Sequence, residues 1–195
     1  MNYSECIENA RTRIGNYCKA CPECNGRACK NQMPGPGAKG IGDTAIRNYD
    51  KWKEIRVQMD TIAENKPVDT SLELFGKKFL YPFFAGPVGA VGLHYGDCLD
   101  DVRYNDILVS ACAKYGIAAF TGDGLDSNVM VAATKAIGKT DGIGIPTVKP
   151  WNIDTVAEKM KMVQESKAFA VAMDVDAAGL PFLKNMEPPA GSKTV

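Results

Sequence analysis

The stretch Ile117-Ala118-Ala119-Phe120-Thr121-Gly122-Asp123-Gly124 is a short apolar run that ends in small and polar residues. Such a run is typical of a strand that is buried on both faces of a parallel sheet. An amphipathic segment, Ser127 to Ile137, follows it and is predicted to be a helix. The next apolar run, Ile143 to Val148, is predicted to be a further strand. This strand–helix–strand unit indicates an α/β fold with parallel strands.

The same alternation extends along the chain in both directions. Upstream, Leu72 to Tyr81 is predicted to be a hairpin, residues 82–86 a first buried strand, and Arg103 to Tyr115 a helix. Downstream, Asp154 to Ser166 is predicted to be a helix and Ala168 to Val175 a fourth strand. This periodicity does not separate an open doubly wound sheet from a closed (β/α)8 barrel.

A polar lead-in that is rich in cysteine and glycine, residues 1–72, precedes the alternating strands and helices of residues 73–195. Within it lie the segments Tyr3 to Tyr17 and Ala45 to about Glu64, of which the second shows apolar residues at helical spacing. Both segments are predicted to be helices, and Asp43-Thr44 is predicted to cap the second.

Four of the seven cysteines fall close together in the lead-in. Cys18, Cys21, Cys24 and Cys29 follow the spacing C-x2-C-x2-C-x4-C. Thiolates at such spacing suit Zn²⁺ or an iron–sulfur cluster, so we predict a metal centre here. The spacing leaves open which of the two metals binds, and free cysteines in a loop are the alternative.

Composition excludes several function classes. Lys+Arg and Asp+Glu both number 23, so the chain has no formal net charge and lacks the basic face that nucleic-acid binding requires. No window approaches the roughly 18 apolar residues of a membrane span. The polar N-terminus does not resemble a secretory signal, so the expected location is cytoplasmic.

The predicted strands end in small or polar residues, and in α/β folds ligand chemistry lies at these carboxyl ends. The acids at these ends could also bind Mg²⁺, although an ordering role in the loops is the simpler interpretation. They are Asp123, Asp126, Asp174 and Asp176.

Three segments, in this order, resemble the FMN-dependent α-hydroxy-acid oxidases and dehydrogenases. Gly42 to Arg56 resembles the helix that precedes the barrel in that family, and Asp69 to Gly76 resembles its hairpin. Pro82 to Gly89 resembles its first barrel strand with the turn against the flavin. The resemblance covers about residues 30 to 180. It implies a (β/α)8 TIM barrel, of which this chain carries the first four βα units as a half-barrel.

The resemblance also implies positions for the site residues. FMN contacts are expected at Pro87, Val88, Gly89, Thr121, Thr147 and Asp174. Lys149 stands where the family has a tyrosine on the substrate side, so it is the candidate substrate residue. The family's arginine on the loop after the fourth strand has no counterpart within Ala177 to Leu180. None of these residues is expected to be the catalytic base.

The activity implied by the resemblance is that of an FMN-dependent oxidoreductase acting on a 2-hydroxy acid or related donor. The family's base lies in the second half, so we expect a truncated chain that is inactive alone. An open barrel edge would then pair with a second copy or with a complementary C-terminal half. Two alternatives stay open. They are an FMN-dependent isomerase-like barrel related to type 2 isopentenyl-diphosphate isomerase, and a non-enzymatic, metal-stapled half-barrel.

Overall fold

The computed structural model describes residues 2–15, 18–30 and 43–175, and the chain divides into two compact units. One unit comprises Met1–Val68 with Val91–Asp100. The other comprises Asp69–Ala90 with Asp101–Val195 and contains the sheet. The boundary drawn from the sequence, between a lead-in of residues 1–72 and an α/β region of residues 73–195, stays a prediction.

The first unit contains helices α1 (Tyr3–Arg11), α2 (Thr44–Trp52) and α3 (Val91–Tyr95). A capping box starts α1: the side chain of Asn2 accepts from the Glu5 N–H, and the Glu5 carboxylate accepts from the Asn2 N–H. The helix ends at Arg11, so the predicted extension is wrong over the described residues 12–15. Tyr17, its predicted last residue, lies outside the described residues.

The predicted helix from Ala45 to Glu64 is wrong beyond Trp52, where α2 ends. Ile55 is 66% exposed and Met59 is 87% exposed, so the apolar side of the missing turns would bury little surface. Because tertiary packing supplies most helical stability, the apolar spacing alone does not stabilise helical turns beyond Trp52. Asp43 occupies the predicted N-cap position, but its side chain makes no capping bond.

The predicted hairpin is confirmed in the second unit. Strands β1 (Leu72–Leu74) and β2 (Lys77–Phe79) pair in antiparallel register. The two turn residues, Phe75 and Gly76, have φ of +47° and +75°. Positive φ at both central residues is what a tight turn with the twist of the strands requires.

The remaining elements alternate between helix and strand. In order they are α4 (Asp101–Lys114), β3 (Phe120–Thr121), α5 (Ser127–Lys139), β4 (Ile145–Val148), α6 (Ile153–Glu165) and β5 (Ala172–Met173). The three strands form a parallel sheet in the order β3-β4-β5. The α/β class and the three helices of this unit are therefore confirmed, with bounds within two residues of the predictions.

The strands are shorter than the sequence predicts. Residues 82–86 reduce to one parallel bridge between Ala85 and Ala119, in which the Ala85 N–H donates to the Ala118 carbonyl. Residues 117–118 and 143–144 lie outside β3, β4 and this bridge and have irregular backbone. Within the described residues the sheet is open, and the count of four βα units stays a prediction.

The two faces of the sheet have different surroundings. Val148 of β4 packs with Met130 of α5 and Val163 of α6, so this face is covered by helices. Side chains alternate along a strand, which places Thr147 on the opposite face. We call this opposite side the inner face. By register and alternation it also carries Lys149, Ala172 and Asp174, since Thr147 pairs with Ala172.

Candidate functional site

Two strand-end turns pack backbone against backbone. A β-carbon built on Gly89 would stand 2.8 Å from the carbonyl oxygen of Asp123. A β-carbon on Gly122 would overlap the backbone of Val88 and Gly89. Glycine is required at both positions because any side chain would force the turns apart. The structure thus brings the predicted turn at Pro87, Val88 and Gly89 against the end of β3.

A buried carboxylate, Asp123, connects the end of β3 to the segment after β4. Its Oδ2 accepts from the backbone N–H of Lys149 at 2.9 Å and from Trp151 Nε1 at 2.7 Å. Its Oδ1 accepts from the Gly124 N–H at 2.9 Å and from Lys159 Nζ at 2.7 Å. The Asp123 side chain is fully buried and that of Lys159 is 7% exposed. This network fixes two neighbouring strand ends.

Sequence reasoning missed the partner of Asp123. Lys159 lies on the buried side of α6, three residues after the half-buried Val156 and four before the buried Val163. A lysine in the apolar stripe of an amphipathic helix signals a buried counter-charge, because a buried ammonium requires one. The sequence does not show which acid provides it.

An ion pair lies at the ends of β4 and β5 on the inner face. Lys149 Nζ donates to Asp174 Oδ2 at 2.7 Å, and the two side chains are 15% and 28% exposed. The Asp174 N–H donates to the Val148 carbonyl, which continues the sheet by one residue. The candidate substrate residue is therefore a partly shielded cation with a carboxylate beside it.

Two buried hydroxyls, Thr121 Oγ1 and Thr147 Oγ1, have no hydrogen-bond partner in the part of the chain that the structure describes. Thr121 pairs with Pro146 and shares the helix-covered face with Ala119, whereas Thr147 lies on the inner face. The two hydroxyls are thus on opposite faces of the sheet. One ligand on the inner face would meet the Thr147 hydroxyl, and only the backbone of Thr121.

The predicted metal centre is not supported by the structure. Cys18, Cys21 and Cys29 are half-buried, Cys24 is exposed, and all four are free thiols. Among residues 2–15, 18–30 and 43–175, no group of three or more His, Cys, Asp or Glu could hold a metal ion. Burial raises the pKa of Cys29, and the neighbouring Cys24 and Cys18 add to that rise. The thiols are close enough to interact electrostatically, but their side chains do not converge.

The strand-end acids are engaged in the fold rather than grouped for Mg²⁺. Asp123 is surrounded by donors, and Asp126 caps α5 by accepting from the Asn128 N–H at 2.9 Å. Asp176 and the loop at residues 177–180 lie outside the described residues.

No helix of the described residues is both long and apolar enough to cross a membrane.

Comparison with known proteins identifies one family. Residues 35–185 match the family of FMN-dependent dehydrogenases. A glycine-to-alanine mutant of an active chimera of (S)-mandelate dehydrogenase has a similar crystal structure, with a TM-score of 0.60 at 13% sequence identity. The match covers 91% of this chain and 44% of that one, so the chain spans less than half the length of that structure. No curated protein matches the sequence at a significant level.

Proposed function

The chain belongs to the FMN-dependent dehydrogenase family. We propose that the carboxyl ends of its strands form one side of the flavin site in an oxidoreductase of 2-hydroxy acids. One observation carries this proposal. The Lys149–Asp174 pair and the unpartnered Thr147 hydroxyl lie on the same face of the sheet at the carboxyl ends of adjacent strands. Ligands of parallel α/β folds bind at such ends.

Two features support a fit to FMN. Within residues 43–175 the buried Thr147 hydroxyl finds no hydrogen-bond partner, and a buried polar group of this kind is stabilised when a ligand supplies the missing bond. The close backbone packing at Gly89 and Gly122 keeps the turn of residues 87–89 against the end of β3, so two segments that would line the flavin site are held side by side. Bound FMN would supply the hydride acceptor. The proposed contacts are the backbone of residues 87–89 and 121, the Thr147 hydroxyl, and Asp174 at the edge.

The ion pair favours a substrate with two adjacent polar groups. A carboxylate would accept from Lys149 Nζ, and a neighbouring hydroxyl would donate to Asp174 Oδ2. A 2-hydroxy acid carries both groups on neighbouring carbons. Asp174 stands beside the cation, so it would repel the carboxylate of a ligand that has no adjacent hydrogen-bond donor. In a 2-hydroxy acid, the hydroxyl would donate to Asp174 and reduce this repulsion.

We propose that the chain acts with a further polypeptide, either a second copy or the complementary half of a barrel. In the described residues β5 pairs on one side only, with β4. Its Met173 is 50% exposed, and the flanking Val171 and Val175 are 41% and 71% exposed. An apolar strand edge of this kind is a template for pairing with another strand. The catalytic base would come from that partner, so the chain alone would bind without turning over.

Quenching of FMN fluorescence by the purified chain tests the proposal. We expect saturable quenching and a further spectral change when lactate is added, but a weaker change with propionate, which lacks the hydroxyl. Lys149→Met should remove the lactate response and leave FMN binding. Lys139→Met is the matched control, because Lys139 is paired with Asp106 on the surface. Absence of FMN binding would overturn the proposal and favour the non-enzymatic half-barrel.

The chemistry of lysine supports a second candidate, an FMN-dependent isomerase-like barrel. An ammonium binds phosphate groups as a point charge as readily as it binds carboxylates, and Lys149 stands where the family has a tyrosine. The same titration separates the two functions. If pyrophosphate perturbs the flavin spectrum at lower concentration than lactate, the isomerase-like function is favoured.

A further inference from the structure

We propose that Asp123 is a positioning residue, which holds the Lys149 ammonium on the inner face by fixing the backbone of Lys149 from the opposite face. The proposal concerns the site of the proposed function, but its tests involve no flavin and no substrate. A negative result on flavin binding would therefore leave it standing, and its own failure would leave the flavin proposal standing.

The hydrogen-bond geometry around Asp123 carries the first step. Both oxygens accept two bonds each, and all four neighbours are donors: the N–H groups of Gly124 and Lys149, Trp151 Nε1 and Lys159 Nζ. A carboxylate satisfies this environment completely, whereas an amide would direct its NH₂ group at two donors. Full burial of the Asp123 side chain makes each of these bonds costly to lose.

The alternation of the strand carries the second step. Lys149 follows Val148, whose side chain packs among the helices, so the Lys149 side chain points to the inner face. Its backbone N–H is bound by Asp123, and its Nζ is bound by Asp174. One residue is thus held from both sides of the sheet. Lys159 compensates the charge of Asp123 from α6, so that the anion does not compete for the ammonium of Lys149.

Amide and indole hydrogen exchange on the unmodified protein gives the first test. The Lys149 N–H and the Trp151 indole N–H should exchange slowly, since both are bound to Asp123. Trp52, which is 74% exposed, provides the internal control and should exchange fast. Exchange of the Trp151 indole as fast as the Trp52 indole, or of the Lys149 amide as fast as an unprotected backbone amide, would overturn the proposal without any variant.

A matched pair of double variants separates positioning from stability. In Asp123→Asn/Lys159→Met, the asparagine oxygen can still accept from the Lys149 N–H and from Trp151 Nε1. In Asp123→Leu/Lys159→Met, a side chain of similar branched shape accepts nothing. The readout is the rate at which an amine-specific reagent labels Lys149 in folded protein, relative to the exposed Lys114.

We expect the leucine variant to raise the relative labelling of Lys149 by about fivefold, which corresponds to one lost hydrogen bond. The asparagine variant should retain the wild-type ratio. If both variants retain that ratio at equal folded fraction, Asp123 only stabilises the fold and the proposal is wrong. If either variant fails to fold, the exchange rates of the unmodified protein decide.

Discussion

Gly89 lies so close to Asp123 that a β-carbon on the glycine would stand 2.8 Å from the aspartate's carbonyl oxygen. The neighbour is backbone and cannot rotate away. Gly89→Ala should therefore lower the free energy of unfolding by about 1–3 kcal/mol, the usual cost of overpacking, as measured by urea denaturation. Gly86→Ala is the control in the same segment, because no atom of the described residues, apart from its chain neighbours, lies within 4 Å of a β-carbon there. Equal losses in the two variants would contradict this explanation.

The protein is expected to become more stable when the side chain of Ala90 is removed. Its φ of +52° lies in the left-handed region, which costs an L-residue about 1–2 kcal/mol. Glycine relieves that strain but loses more backbone entropy on folding, so Ala90→Gly should raise the free energy of unfolding by about 0.5–1 kcal/mol. Ala113→Gly, inside α4, should lower it by about 1 kcal/mol. Thermal unfolding of the two variants should thus show shifts of opposite sign.

Thr147→Val separates ligand binding from folding. The Thr147 hydroxyl is buried and has no hydrogen-bond partner among the described residues, so its replacement by a methyl group should leave stability unchanged or raise it by about 1 kcal/mol. FMN binding, measured by fluorescence quenching, should weaken by about five- to tenfold. In the control Thr134→Val, a hydroxyl that donates to the Met130 carbonyl at 2.9 Å is lost, so stability should fall by about 1 kcal/mol. Unchanged FMN affinity in Thr147→Val would remove this residue from the flavin site.

Cys29 should be alkylated more slowly than the exposed Cys6 and Cys98 at pH 8.5. Burial and the neighbouring thiols raise the pKa of Cys29, so a smaller fraction is thiolate at any pH below the raised value. Its alkylation rate, followed by mass spectrometry, should rise at higher pH than the rates of the exposed thiols. Joint protection of Cys18, Cys21, Cys24 and Cys29 by equimolar Zn²⁺ would contradict the geometry and restore the metal centre.

The elements that the sequence predicts well are those whose apolar pattern finds a packing partner. The helices α4, α5 and α6 pack on the sheet, and their predicted bounds are close to the observed ones. The segment beyond Trp52 shows a similar pattern without burial, and no helix forms there. The spacing of apolar residues indicates which side of a helix could be buried. It does not indicate whether another part of the protein packs against that side.

The candidate site shows the same limit at the level of single residues. A strand predicted at residues 143–148 suffices to place Thr147, and Lys149 directly after the strand, on one face, because alternation is local. Asp123 and Lys159 are 36 positions apart in the chain, and their pairing depends on how α6 returns to the sheet. Likewise, the spacing of Cys18, Cys21 and Cys24 predicts nearby thiols, whereas the directions of the side chains depend on the loop backbone.

Lys149 connects the hydrophobic interior with the inner face of the sheet. Substitutions in two such regions are ordinarily accepted or rejected for different reasons. The Lys149 N–H belongs to the hydrophobic interior, where substitutions are accepted or rejected for their effect on folding. Its ammonium lies on the inner face, bound to Asp174, where we propose that the ligand is recognised. On this proposal, a change at Lys159 or Trp151, both bound to Asp123, would alter recognition through the backbone of Lys149. A substitution at Lys149 would in turn have to keep the hydrogen bond to Asp123. At the end of β4, the stability of the fold and the proposed selectivity for ligand therefore depend on the same residue.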